Sequence, residues 1–234
     1  MPQFLDYHVM AIQLLAKDVS RILLQPLHAP VISYEAGQYI EVSHTDGRVS
    51  YLSIACAPRD DAILEFHLFH PAENEKAQAL LRMARTEKKW QLRGPLGRCT
   101  VSQLHPDKPI LFLAQGTGFA PVKAVIEALI QADFPLLLHV YWFSQNQEDF
   151  FLTEQISRWK ASHPLFIFTP IILPSAFNED QIESVLNQAI LATYPDLSAY
   201  QVYASGPRSW VYRIFHAFQQ KGLPRAFFFS DMFE

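Results

Sequence analysis

Two glycines and a threonine, Gly116-Thr117-Gly118, stand between an apolar run at residues 110–114 and a segment opened by Pro121. In that segment Val122, Val125, Ile126, Leu129 and Ile130 recur at helical spacing. A strand, a glycine turn and a helix in succession present backbone N–H groups and a helix N-terminus to an anion such as a nucleotide phosphate. The glycines permit positive φ and close backbone approach. Pro121 suits the first helical turn, where its missing N–H breaks no bond. Two further segments carry polar or glycine ends: Tyr141-Trp142-Phe143-Ser144 and Ser205-Gly206-Pro207. His67 and His70 invite a metal reading, but an i, i+3 spacing on a strand points them to opposite faces. Gly116-Thr117-Gly118 is not a Gly-x-Ser-x-Gly elbow, so no serine nucleophile is indicated. Cys56 and Cys99 are too few for a four-thiolate cluster or a disulfide framework, and read as small buried apolar residues.

The elements that must position these residues fall into two regimes. Up to about residue 100, short apolar or alternating segments recur at 7–15, 19–24, 39–43, 49–55, 63–69 and 90–92. Turn chemistry separates them, including Asp46-Gly47, a good hairpin signal. Even spacing of short strands predicts an antiparallel Greek-key β-barrel, with one helical face at residues 74–85 carrying Ala77, Leu80, Leu81 and Ala84. After residue 109 strands and helices alternate: strand 110–114, helix from 121, strand 136–143, helix 148–160, strand 166–172. Helix 179–192, strand 201–204, helix 210–220 and a short strand 226–229 follow. That alternation predicts a parallel α/β sheet, whose ligands sit at the carboxyl edge of the strands. The expected domains are 1–104 and 105–234.

With 234 residues, half of them apolar, the chain is long enough for one large domain or two modest ones and easily buries a core. A net charge of −4 argues against a nucleic-acid partner. No apolar run approaches the roughly 20 residues of a membrane span, and Met1 to Asp6 lack the basic start and apolar block of a signal peptide. A cytoplasmic protein with no membrane partner is expected.

The motifs together resemble the ferredoxin–NADP reductase superfamily, and within it the short NAD(P)H–flavin reductases that lack an iron–sulfur domain. The resemblance covers nearly the whole chain. Tyr34-Glu-Ala-Gly-Gln-Tyr39 is similar to the family's aromatic-x-x-Gly-Gln-Tyr/Phe strand, and Gly94-Pro-Leu-Gly97 to its Gly-Pro-aromatic-Gly turn. Gly116-Thr-Gly-Phe-Ala-Pro121 is similar to the Gly-Thr-Gly-hydrophobic-Ala/Ser-Pro loop, and Ser205-Gly206-Pro207 to the Cys/Ala-Gly-Pro turn. The resemblance implies a barrel that holds FAD or FMN, bound or as a diffusible substrate, and an α/β domain that holds NADH or NADPH. The implied activity is NAD(P)H-dependent flavin or flavoprotein oxidoreduction, passing hydride to the flavin and electrons onward, with an electron-accepting protein as one outlet.

Carried over residue by residue, the flavin strand is Ser50-Tyr51-Leu52-Ser53-Ile54-Ala55. Ser53 matches the hydroxyl that supports flavin N5, and with Thr117 makes the implied catalytic pair. Ser50 and Leu52 depart from the family's Arg and aromatic residue. Arg48, two residues away, keeps the strand face of the missing Arg, whereas Tyr51, one residue away, has the opposite face. The next flavin-side strand supplies His67, Leu68 and Phe69. Gly116, Thr117, Gly118, Phe119, Pro121, Phe143, Ser144, Gly206 and Pro207 are the implied dinucleotide contacts, and the resemblance implies that C-terminal Asp231 and Phe233 lie near the reacting rings. Gln145 supplies no charge and Glu148 and Asp149 follow, so a 2′-phosphate gains little and NADH is favoured. Two further readings stay open: a reductase subunit of a multicomponent oxygenase or sugar-deoxygenating system, and a member that has lost flavin and binds a nucleotide or protein.

Overall fold

The computed structural model describes residues 3–174, 178 and 181–233. Six antiparallel strands come first: β1 (Leu5–Ala16), β2 (Val19–Pro26), β3 (Tyr39–Ser43), β4 (Val49–Ser53), β5 (Leu64–Phe69) and β6 (Lys89–Leu96). Their order is β4-β3-β6-β1-β2-β5. The two ends of this sheet meet where the Ala55 N–H donates to the Glu65 carbonyl at 2.7 Å, which closes it into a barrel. Alternation sorts the side chains: Leu64, Phe66 and Leu68 of β5 join Ile22, Ile40, Val42, Trp90 and Leu92 inside. Glu65, His67 and Phe69 therefore occupy the outer face. Helix α1 (Glu75–Thr86) plugs the barrel with Ala77, Leu80, Leu81 and Ala84, and the Asn74 side chain caps it by accepting the Ala77 N–H at 3.0 Å.

Five parallel strands follow, β7 (Ile110–Gln115), β8 (Leu138–Ser144), β9 (Phe166–Ile172), β10 (Gln201–Ser205) and β11 (Phe228–Phe229). Their order is β11-β10-β7-β8-β9, so the chain's direction of winding reverses between β7 and β10. Helices α2 (Phe119–Gln131) and α3 (Thr153–Ser162) cover one face. On the other face lie α4 (Ile182–Leu186), extended by a wider helical turn at Asn187–Leu191, and α5 (Arg208–Gln219). Strand β7 reads as an unbroken apolar run because both faces are buried: Ile110, Phe112 and Ala114 pack with α2, while Leu111 and Leu113 pack with α5. Each of the Ile, Leu and Phe side chains contributes roughly 1.5–3 kcal/mol of burial. Strand β9 is an edge, which is where Pro170 costs no ladder bond. Among the described residues no helix is long and apolar enough to cross a membrane.

Boundaries differ from the sequence expectation at several places, among them the starts of three helices. Helix α2 starts at Phe119, two residues before Pro121, because the glycine turn itself coils into a 3-10 turn at Gly116–Gly118. The helix expected at 148–160 begins only at Thr153. Its first residues form a separate turn at Gln147–Asp149, where Asp149 Oδ2 accepts from the Ser144 hydroxyl at 2.7 Å and from the Asn146 N–H and side-chain amide, each at 3.2 Å. Of the helix expected at 179–192, residues 179 and 180 lie outside the described residues, and the described part holds two short pieces, Ile182–Leu186 and Asn187–Leu191.

Candidate functional site: a cleft between the two sheets

The glycine turn sits at the carboxyl end of β7, beside the point where the strand order reverses. Gly116 adopts φ +54° and the turn is pinned by the Trp142 indole N–H, which donates to the Gly116 carbonyl at 2.9 Å. The Phe119 ring stacks on Trp142 with centroids 3.9 Å apart and planes 8° from parallel. A Cβ on Gly118 would lie inside van der Waals contact of the Ser205 carbonyl, and one on Gly206 would press on Trp210 and Gln115. Two loops from neighbouring strands thus touch backbone to backbone, which only glycine allows.

A cleft of about 790 Å³ opens there between the α/β domain and the outer face of the barrel. From the barrel come Tyr51, Leu52 and Ser53 of β4 and His67 and Phe69 of β5. From the α/β side come Gly116, Thr117, Gly118, Ser144, Gly206, Pro207 and, near the C-terminus, Asp231. These twelve sequence-nominated residues are brought together. Others lie elsewhere. Ile54 and Leu68 point into the barrel core, Phe119, Pro121 and Phe143 are buried behind the cleft, and Phe233 packs on Tyr212, Phe215 and Phe228.

Arg48 is outside the cleft as well. Its guanidinium pairs with exposed Asp46 at 2.7 Å in the β3–β4 hairpin. Ser50, the position of the family's Arg, turns inward and its hydroxyl meets the Nε2 of buried His44 at 2.8 Å. The alternation argued from sequence holds, Tyr51 lying opposite Ser50, but the cleft is on the face of Tyr51 and Ser53 and not on that of Ser50. Lys17 is the one cationic side chain lining the cleft among the described residues, against Asp18, Asp149 and Asp231. His67 and His70 have separate partners, as their opposite faces require: His67 Nε2 meets Glu65 at 2.9 Å and His70 meets Ser20 at 2.8 Å.

Sequence reasoning missed a buried ion cluster that bolts α2 to the barrel. Lys123 Nζ donates to the Ala55 carbonyl at 2.7 Å, to Glu127 at 2.8 Å and to Glu65 at 3.3 Å. Arg21 pairs with Glu65 at 2.9 Å, and Glu127 accepts the Ala57 N–H at 3.1 Å. Burial acts to raise the Glu65 pKa, but the His67 hydrogen bond and the charges of Lys123 and Arg21 outweigh it and bring it down to about 2. Burial lowers the His67 pKa, although Glu65 opposes it, so the imidazole is neutral. The available signal was Lys123 itself, a lone charge in the apolar stretch Pro121-Val-Lys-Ala-Val-Ile126.

Comparison with known proteins places this geometry. The model of the oxidoreductase NAD-binding domain matches residues 112–213. A CDP-6-deoxy-L-threo-D-glycero-4-hexulose-3-dehydrase reductase of Yersinia pestis is 30% identical over 223 residues, covering 95% of this chain and 67% of that protein. An NAD(P)H-flavin reductase of Vibrio harveyi is 26% identical, covering 85% of this chain and 84% of that protein. In fold the chain is similar to the Amycolatopsis cytochrome P450 reductase GcoB, with a TM-score of 0.82 at 20% identity over 97% of this chain and 69% of that one. A barrel packed on an NAD-binding α/β domain, with a glycine turn at the switch point between them and a relative at this identity along nearly the whole chain, has one assignment. The chain belongs to the ferredoxin–NADP reductase superfamily of NAD(P)H-dependent oxidoreductases.

Proposed function

We propose that the chain reduces a flavin with a nicotinamide dinucleotide in the cleft between its domains and passes the electrons onward. The carrying observation is that Ser53 of the barrel and Gly116-Thr117-Gly118 of the α/β domain line one cleft. A bound flavin would supply the redox chemistry, as acceptor of the hydride from the nicotinamide. The chain's own part is distance and polarity. The Ser53 hydroxyl is a small donor that supports N5 without blocking a face. The glycine turn seats the pyrophosphate, and Thr117 with Gly118 sets the nicotinamide. The working division is residues 1–104 for flavin and 105–234 for dinucleotide, the chain crossing from one sheet to the other between β6 and β7.

The walls fit the rings better than a flavin phosphate. Leu52, Phe69 and Phe151 give apolar contact, yet Ser50 is closed on His44 and Arg48 on Asp46. Loss of a charged pairing weakens binding by roughly 1.5–3 kcal/mol, about ten- to a hundredfold. The flavin, FAD or FMN, is therefore an exchangeable substrate rather than a resident group. NADH is the preferred donor: the end of β8 offers Gln145 and the Asp149 carboxylate, which suit a ribose hydroxyl and repel a 2′-phosphate. The names of the Yersinia and Vibrio relatives support the two outlets, a partner enzyme or free reduced flavin; a cytoplasmic setting is part of the proposal.

The enclosed Ser50 also favours a second reading, a member that binds dinucleotide but no flavin. Desalted protein separates them. The first reading expects little yellow colour, slow NADH oxidation alone, and rapid oxidation once riboflavin, FMN or FAD is added. NADH oxidation unmoved by any flavin supports the second.

A further inference from the structure

Two buried polar atoms on the cleft walls have no partner among the described residues, His67 Nδ1 from the barrel and Gln115 Oε1 from the end of β7. The His67 ring is wholly enclosed and its chemistry is fixed from behind. Nε2 lies 2.9 Å from Glu65 Oε1, and that carboxylate is ionised by its cluster with Lys123 and Arg21. A carboxylate only accepts, so Nε2 carries the proton and the neutral ring leaves Nδ1 as a bare lone pair. A buried acceptor left unpaired is costly. Phe151, which also lines the cleft, packs edge-on to the ring with centroids 5.5 Å apart.

We infer that His67 Nδ1 is a recognition group that accepts a hydrogen bond from an amide or imide N–H of a cleft ligand, with Glu65 and Lys123 as its positioning residues. The inference rests on the oxidoreductase reading of the cleft. Two sources share that chemistry, the nicotinamide carboxamide and the flavin N3–H. Access of a ligand to Nδ1 requires Phe151 to move from this edge-on position. Lys123 lies on the helix that follows the glycine turn, so the dinucleotide's own helix holds the acceptor in register.

Ligands without the N–H test this directly. NADH is compared with reduced 3-acetylpyridine adenine dinucleotide, and riboflavin with N3-methylriboflavin. Wild-type protein is expected to raise KM roughly five- to tenfold for one analogue, the one that has lost the donor. His67→Phe should raise KM for the natural ligand to match and erase the discrimination, leaving the other pair unchanged. Discrimination that survives His67→Phe, or wild-type protein indifferent to both analogues, overturns the inference. Should the variant fail to fold, histidine-labelled wild-type protein decides by nitrogen NMR. The Nδ1 resonance of His67 must shift with NAD⁺ or riboflavin, and no shift with either overturns it. Wild-type protein that reduces no flavin would sink the oxidoreductase reading instead, and the same NMR titration would still judge His67.

Discussion

Ser53 and Gly118 carry the sharpest expectations at the scale of single residues. Ser53 is half-buried on the cleft wall, and its hydroxyl is the small donor there on β4. Ser53→Ala should slow hydride transfer roughly tenfold, the worth of one hydrogen bond of about 1.4 kcal/mol. Anaerobic stopped-flow mixing with NADH and flavin reads this, and an unchanged rate removes the role. Gly118 faces the Ser205 carbonyl, which is backbone and cannot swing away. Gly118→Ala should therefore destabilise by roughly 1–3 kcal/mol and push the loops apart. Denaturant unfolding and the KM for NADH should both record it; a variant as stable and as tight-binding as the parent would contradict the close approach. The glycine turn was legible because its backbone requirement is written in residue type. Arg48 and Ser50 were not. Which face a strand residue takes depends on a register that the Asp46–Arg48 pair and the His44–Ser50 bond fix in three dimensions.

At the scale of elements, helix α2 is the joint between the domains, and Lys123 is its bolt. Lys123→Met leaves Glu65 and Glu127 each short of a buried cation, an effect of roughly 3–5 kcal/mol. Thermal unfolding should show the loss, and a variant with the parent's melting temperature would deny the cluster that role. Acid should loosen the α/β sheet before it loosens this joint. His139 of β8, stacked on Tyr141 and bonded to Tyr194 and Thr169, is pushed down to about 4 by burial from an ordinary 6.5. Its folded pKa is depressed, so its stabilisation is complete above pH 6.5 and disappears as pH falls through 4. Glu65, depressed from 4.5 to about 2, follows in the window below 4.5. Urea midpoints measured from pH 7 to 4 should decline, and His139→Gln should remove that part of the slope; a slope unaltered in the variant would assign it elsewhere. Strands 39–43 and 166–172 were legible to the residue, since their apolar patterns end at turn residues. The start of α3 was not, because Asp149 spends its carboxylate on Ser144 and Asn146 instead of opening a helix. Nor was the ion cluster, whose Glu65 and Lys123 stand 58 residues apart.

The whole molecule is a barrel and a parallel sheet that share a cleft at the sheet's switch point, where open α/β folds bind their ligands. The change of period after residue 109 made this architecture readable from sequence, because antiparallel pairing and βαβ winding impose different patterns on the chain. The electrostatics of the assembled cleft were hidden until the two halves met. With Lys17 its one cationic lining residue among those described, the cleft offers little positive charge to a flavin phosphate. The most direct measurement is anaerobic mixing of the desalted protein with NADH and each of riboflavin, FMN and FAD. The flavin band is followed beside the NADH band. The account predicts that all three flavins bleach in step with NADH, with similar KM values, since little in the cleft reads the phosphate. NADH that stays reduced, or a flavin band that persists while NADH is consumed, would contradict it.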